Sequence, residues 1–168
     1  VLIALDVALS TLFIPVGDNL RIKFDFLTRA VIGMVGGPFL ALSSGMIADL
    51  LGFVLHPVGA FFPGYTLSAM LGSLVYALFF YRSKINIVRI VLAKLTVNLF
   101  INVLLGSVWS VIIGKHGYLY YLTSSVIKNS IMLPIECIML YLLFTALIPV
   151  LARMKLVPKP EKKYIPFI

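Results

Sequence analysis

The sequence predicts an all-α integral membrane protein, a bundle of six transmembrane helices, and two observations carry that prediction. Of its 168 residues, 61% are hydrophobic and only 12% are charged, whereas a soluble domain of this size keeps roughly a quarter charged because its surface faces water. The mean hydropathy is +1.09. The apolar residues also fall in long runs. About 20 residues cross a bilayer core, so the chain has room for about six spans and no sizeable soluble domain. It reads as one domain over residues 1–168.

The runs follow in order. Val1 to Ile14 is the first span, ended by Pro15-Val16-Gly17-Asp18, and Gly17 to Phe26 is a polar connection. Leu27 to Leu55 is again apolar, with Arg29 and Asp49 as its charges. A straight helix of that length reaches about 43 Å against a core of about 30 Å. Gly36-Gly37-Pro38 lies inside it, where helix propensity is poorest. Two short helices meeting at a tight turn is the better reading, with one kinked helix as the alternative. His56 to Pro63 is a loop, Gly64 to Tyr81 a span, and Arg82 to Arg89 a basic loop. Ile87 to Ile113 is a long helix closed by Gly114-Lys115-His116-Gly117. Tyr118 to Ala152 is the last span, with Pro134 as an expected kink. A basic tail begins near Arg153, and flexibility is expected after Pro158.

The net charge of +8 is concentrated in the Arg82–Arg89 loop and the tail. That placement suits a cytoplasmic face against anionic lipid rather than nucleic acid. Six spans put both termini on that face. Five spans would satisfy the charge rule equally well, so the length of the Leu27–Leu55 run decides the count. A single cysteine, Cys137, excludes an internal disulfide. No cleavable signal is recognisable, and without an initiator Met a little of the native N-terminus is expected upstream. No phosphate loop, HExxH or GxSxG occurs, and the two histidines, His56 and His116, fall in loops. The spacing assembles no catalytic set, metal site or cofactor site, which counts against a membrane enzyme such as a lipid-active hydrolase. Any ATP-driven step belongs to another chain.

The chemistry lies in polar side chains within apolar segments, where they are expensive and usually face a cavity or a partner. Asp49 sits in the third span, Lys94, Asn98 and Asn102 recur every four residues in the fifth, and Trp109 continues that face. Lys128, Asn129 and Glu136 lie in the sixth. One aqueous pocket between helices is the better reading for the group; for any single residue, bonding between helices is an equal alternative. With the tail inside, Asp49, Asn98, Asn102, Trp109, Lys128 and Asn129 converge toward the outside, while Asp6, Arg89 and Lys94 lie deeper. Arg21, Lys23, Arg29 and Lys115 lie near the outer face, where they attract an anion or pair with Asp18 and Asp25. The Gly59–Tyr65 segment forms either a lid or an interfacial aromatic belt. On the first helix, Ala4 and Ala8 share one face, open to close packing against a partner or within the bundle.

The order of these motifs resembles the substrate-binding S components of energy-coupling factor vitamin transporters, most closely the folate type. The resemblance is carried by Arg21-Ile22-Lys23-Phe24, by Gly33-Met34-Val35-Gly36-Gly37-Pro38 and by Gly45-Met46-Ile47-Ala48-Asp49-Leu50-Leu51-Gly52. Gly59-Ala60-Phe61-Phe62-Pro63-Gly64-Tyr65-Thr66-Leu67 is its most specific block. Gly72-Ser73-Leu74-Val75-Tyr76, Asn102, Trp109 and Ile131-Met132-Leu133-Pro134-Ile135 continue it along nearly the whole chain. It implies six helices with both termini cytoplasmic in a bacterial plasma membrane, and an outward-facing vitamin pocket. It also implies a complex with one transmembrane coupling subunit, which Ala4 and Ala8 would face, and two ATPase subunits. Folate suits the residues: Asn or carboxylate groups meet a pterin edge, Trp109 its flat ring, and Lys128 or Arg21 its carboxylates. Related S components serve pantothenate, hydroxymethylpyrimidine or pyridoxine, which stand as alternatives, as does a stand-alone secondary carrier.

Overall fold

In a computed structural model, the chain forms α1 (Leu2–Thr11), the strands β1 (Phe13–Gly17) and β2 (Leu20–Lys23), α2 (Phe26–Leu55) and α3 (Pro63–Phe80). There follow α4 (Ile87–Thr96), a π-helical stretch (Val97–Leu105), α5 (Gly106–Ile113) and α6 (Tyr118–Arg153). The structure describes residues 1–17, 20–57, 61–159 and 165–167. Asp18, Gly59, Ala60, Lys162 and Lys163 lie outside these residues, as does the side chain of Arg21.

Among the described residues, four helical segments are long and apolar enough to cross a membrane: Phe26–Leu55, Pro63–Phe80, Ile87–Ile113 and Tyr118–Arg153. At most 39% of the apolar window of any of them is buried within the protein. Phe39, Leu78 and Leu119 all face outward, an arrangement that is stable against lipid and not against water.

The first helix ends at Thr11, earlier than the sequence suggests, because Leu12 is extended. Pro15 restricts its predecessor to extended backbone, and the β-branched Ile14 and Val16 favour strand. Residues expected as part of the first span and a polar connection therefore form an antiparallel hairpin, pairing Phe13 with Lys23 and Ile14 with Ile22.

Within α2, Gly37 breaks the helix with φ 78° and ψ −177°. That conformation suits glycine, which has no Cβ. The contacts with α3 show that the chain reverses there. Before the break, Gly33 lies against Ala77 and Gly37 against the Tyr81 ring; beyond it, Gly45 lies against Ala69 and Ser73, and Asp49 bonds Thr66. The chain thus climbs α3 toward Tyr81 and then descends it, giving two arms, 26–36 and 38–55. Both arms approach α3 through small residues. A Cβ at Gly45 would stand 2.7 Å from the Ala69 carbonyl oxygen, and one at Gly33 would stand 2.7 Å from the Ala77 nitrogen. This is the close backbone approach that small residues permit in membrane helices.

The Ile87–Ile113 rod and α6 close the bundle. Its core joins Phe26 and Met34 of α2, Tyr76 and Phe80 of α3, Ile90 and Val97 of the rod, and Leu140 and Phe144 of α6. Arg89 donates to the Phe79 carbonyl, satisfying an otherwise free group at the end of α3. Flexibility expected throughout the tail is not what residues 165–167 display. Ile165 is buried in the core cluster, and the backbone N–H groups of Ile87 and Val88 donate to Pro166 and Phe167 at 3.0 and 3.3 Å. The start of α4 has N–H groups without helical acceptors, and this segment supplies them.

The Gly45 contact generates a stability prediction. Gly45→Val forces α2 from α3 and should destabilise the detergent-solubilised protein by about 1–3 kcal/mol. An unchanged thermal unfolding midpoint would contradict the packing described.

Candidate functional site

Between α2, α3, the Ile87–Ile113 rod and α6 lies a cavity of about 200 Å³. Of the six residues singled out as ligand contacts, Asp49, Asn102, Trp109, Lys128 and Asn129 line it. Asn98 does not. It is buried behind the wall, bonded to Glu136 and Asn102. It lies in the π-helical stretch, with its side chain turned toward Glu136 of α6. From this rod, the wall is built by Lys94, Val97, Ile101, Asn102, Gly106 and Trp109. A π-helical turn leaves no mark in hydropathy.

Each polar group is held by another element. The Asp49 carboxylate accepts from Thr66 Oγ1 at 2.7 Å. The Trp109 indole N–H donates to Ser68 Oγ at 2.9 Å, and Phe62 packs edge-on against its ring at 5.5 Å. Lys94, read as part of the polar group but deeper than the rest, also lines the cavity. Its ammonium lies 3.2 Å from Glu136 Oε2 and donates to Tyr76 Oη at 3.2 Å, over the Phe26 ring. Burying that charge alone would be prohibitive, so the pairing is obligatory.

A second charged cluster joins α1 to α2. Thr28 Oγ1 donates to Asp6 Oδ1 at 2.6 Å, and Arg29 lies 3.5 Å from Asp6 and 2.7 Å from Asp25. Charge placement along the chain assigns Asp6 and Arg29 to opposite depths; the structure brings them together, because the hairpin returns the chain to the level of α1. At the helix start, burial by itself would raise the Asp25 carboxyl, yet Arg29 and Lys23 hold it below the ordinary carboxylate range. Arg29 and Asp25 line the cavity, as does Lys23. Tyr65, Ser68, Tyr76 and Gly72 complete much of the α3 wall. These were missed as contacts because Ser, Tyr and Gly are unremarkable in a membrane helix. Among the described residues no group of His, Cys, Asp or Glu is placed to hold a metal ion.

Ala4 and Ala8 are exposed on α1, across the helix from the buried Asp6. They contribute nothing to the cavity.

The cavity can therefore accept hydrogen bonds from a ligand, present an aromatic face to a flat ring, and offer cationic groups to an anion.

No protein-family model matches the chain. Curated relatives and solved structures do. The chain is 37% identical over 123 residues to the folate transporter FolT of Clostridium novyi (strain NT), a match covering 73% of this chain and 71% of that protein. It is 36% identical over 142 residues to the folate transporter FolT of Leuconostoc mesenteroides, covering 80% and 76% respectively. Its fold matches a crystal structure of FolT bound with folic acid, with a TM-score of 0.78 and 34% identity over 83% of this chain and 86% of that one. Identity at this level, sustained over more than two thirds of each protein, is shared ancestry: this chain belongs to the family of the folate transporter FolT, the folate-type S components that its motifs resemble.

Proposed function

We propose that this chain is the membrane-embedded folate-binding subunit of an ATP-driven energy-coupling factor importer. The observation that carries the reading is the cavity itself, in a chain whose fold matches that of FolT bound with folic acid. A pterin edge presents donors to Asp49, Asn102 or Glu136, and its flat ring stacks on Trp109. A cavity of about 200 Å³ is below the usual size for a drug-sized ligand. It suits the ring head, with the glutamyl carboxylates extending toward Lys23 and Lys128.

The reversal at Gly37 supports reading Phe26–Leu55 as two membrane segments, which with α1 and three further spans would give six. The positive-inside rule then sets the Arg82–Arg89 loop and both termini in the cytoplasm of a bacterial cell, with the cavity opening outward. ATP hydrolysis falls to two separate ATPase subunits joined through a transmembrane coupling subunit, as in the transporters that the chain's motifs resemble. The exposed, small-residue face of α1 at Ala4 and Ala8 suits contact with that coupling subunit.

Calorimetry on the purified chain should give one folate per chain. A Cβ on Gly72, which lines the cavity, meets nothing within 4 Å. Gly72→Leu should therefore weaken folate binding by at least about tenfold, filling the ring's space, without lowering the unfolding temperature. Wild-type protein that takes up no folate would contradict the proposal. The assembly claim is separate: Ala4→Leu with Ala8→Leu should keep folate binding and abolish co-purification with the coupling subunit. Co-purification at the wild-type yield would remove α1 from that interface.

A further inference from the structure

The polar wall of the cavity is connected in a single direction. It begins at Lys94, whose ammonium only donates, so its partner Glu136 must accept. A carboxylate also requires a donor from its other neighbour. Asn98 provides one, giving Nδ2 to Glu136 Oε2 at 2.9 Å. That choice turns Asn98 Oδ1 toward Asn102, which donates from Nδ2 at 3.0 Å. The far end is fixed in the same way. The Ser125 carbonyl takes Asn129 Nδ2 at 2.8 Å, leaving Asn129 Oδ1 to face Asn102 Nδ2 at 3.4 Å.

Both ends of this chain of amides are groups that can only accept. Neither Asn98 nor Asn102 can flip without setting oxygen against oxygen in a site where an unmet contact is costly. Asn102 is left with its amide oxygen to spare. Among the described residues, neither Asn102 Oδ1 nor Glu136 Oε1 has a hydrogen-bond partner, and both residues line the cavity.

We infer that the Lys94–Glu136 pair in the cavity wall and Asn98 behind it act as a relay, holding the wall as a hydrogen-bond acceptor and so selecting a ligand that carries a ring N–H beside an exocyclic amino group. The inference rests on the folate reading, since a pterin presents that pair of donors on one edge. Asn98, which does not line the cavity, is a positioning residue; Asn102 and Glu136 are the groups that meet the ligand. Two acceptors in one cavity wall reject an analogue lacking one donor, because a buried oxygen is then left unpaired.

The test compares folate with 2-desaminofolate, which lacks the exocyclic amino group, on the full chain in lipid nanodiscs. Wild-type protein should prefer folate by at least about tenfold. Asn98→Leu should remove most of that preference, while binding of the desamino analogue stays within about twofold, because only the orientation of the acceptor is lost. If Asn98→Leu weakens both ligands equally and the preference survives, Asn98 is merely structural: the relay is overturned and the folate reading stands. Glu136→Gln, which keeps the shape but can donate as well as accept, is judged by the same ratio if the Asn98 variant does not fold. Wild-type protein that binds folate without preferring it to the analogue also overturns the relay. Protein that binds neither ligand ends the relay and the folate reading together.

Discussion

Polar side chains within a lipid-facing bundle have no water to fall back on, and the way this protein satisfies them decides its structure. Lys94 and Glu136 are almost wholly buried, and either charge alone would destabilise the fold severely. They neutralise each other across two helices, with Tyr76 and Asn98 taking up further hydrogen-bonding capacity. Asp6, Thr28, Asp25 and Arg29 do the same between α1 and the start of α2. Once these sets are joined, the helices that carry them have little freedom to slide.

Small residues supply the complementary constraint. Gly33 and Gly45 let both arms of α2 press against α3, so backbone fills that seam and bulky side chains are excluded from it. The hollow forms where the polar groups and Trp109 of the Ile87–Ile113 rod and α6 face α3 and the Phe26, Arg29 and Asp49 side chains of α2. Tight packing on one side and imperfect filling on the other are two results of one distribution of side-chain volume. The groups around the hollow are already oriented by their neighbours, so a ligand meets a prepared surface and loses less entropy in ordering it.

Much of this could be read from the sequence. The rod was bounded at Ile87 and Ile113 because glycines and a basic loop punctuate it, and the last helix differs by one residue, ending at Arg153. Five polar residues meet in one cavity, as the expense of burying them in lipid suggests. What escaped the sequence depends on geometry without a hydropathic signature. The hairpin at residues 13–23 replaces hydrophobic periodicity with strand pairing forced by Pro15. Asn98, in the π-helical stretch, sits behind the wall against Glu136. Asp6 meets Arg29 only because the hairpin brings the chain back, and the 165–167 segment returns to a helix start about eighty positions earlier.

Ligand capture depends on polar side chains from separate helices lining the hollow beside Trp109. That residue is the only tryptophan in the chain, so its emission reports on the hollow without labelling. Titrating folate into purified protein, with correction for ligand absorption, should change Trp109 emission saturably, ending at one folate per chain. Folate bound at that stoichiometry with no change in the emission would mean the ligand sits elsewhere, and would contradict the central claim.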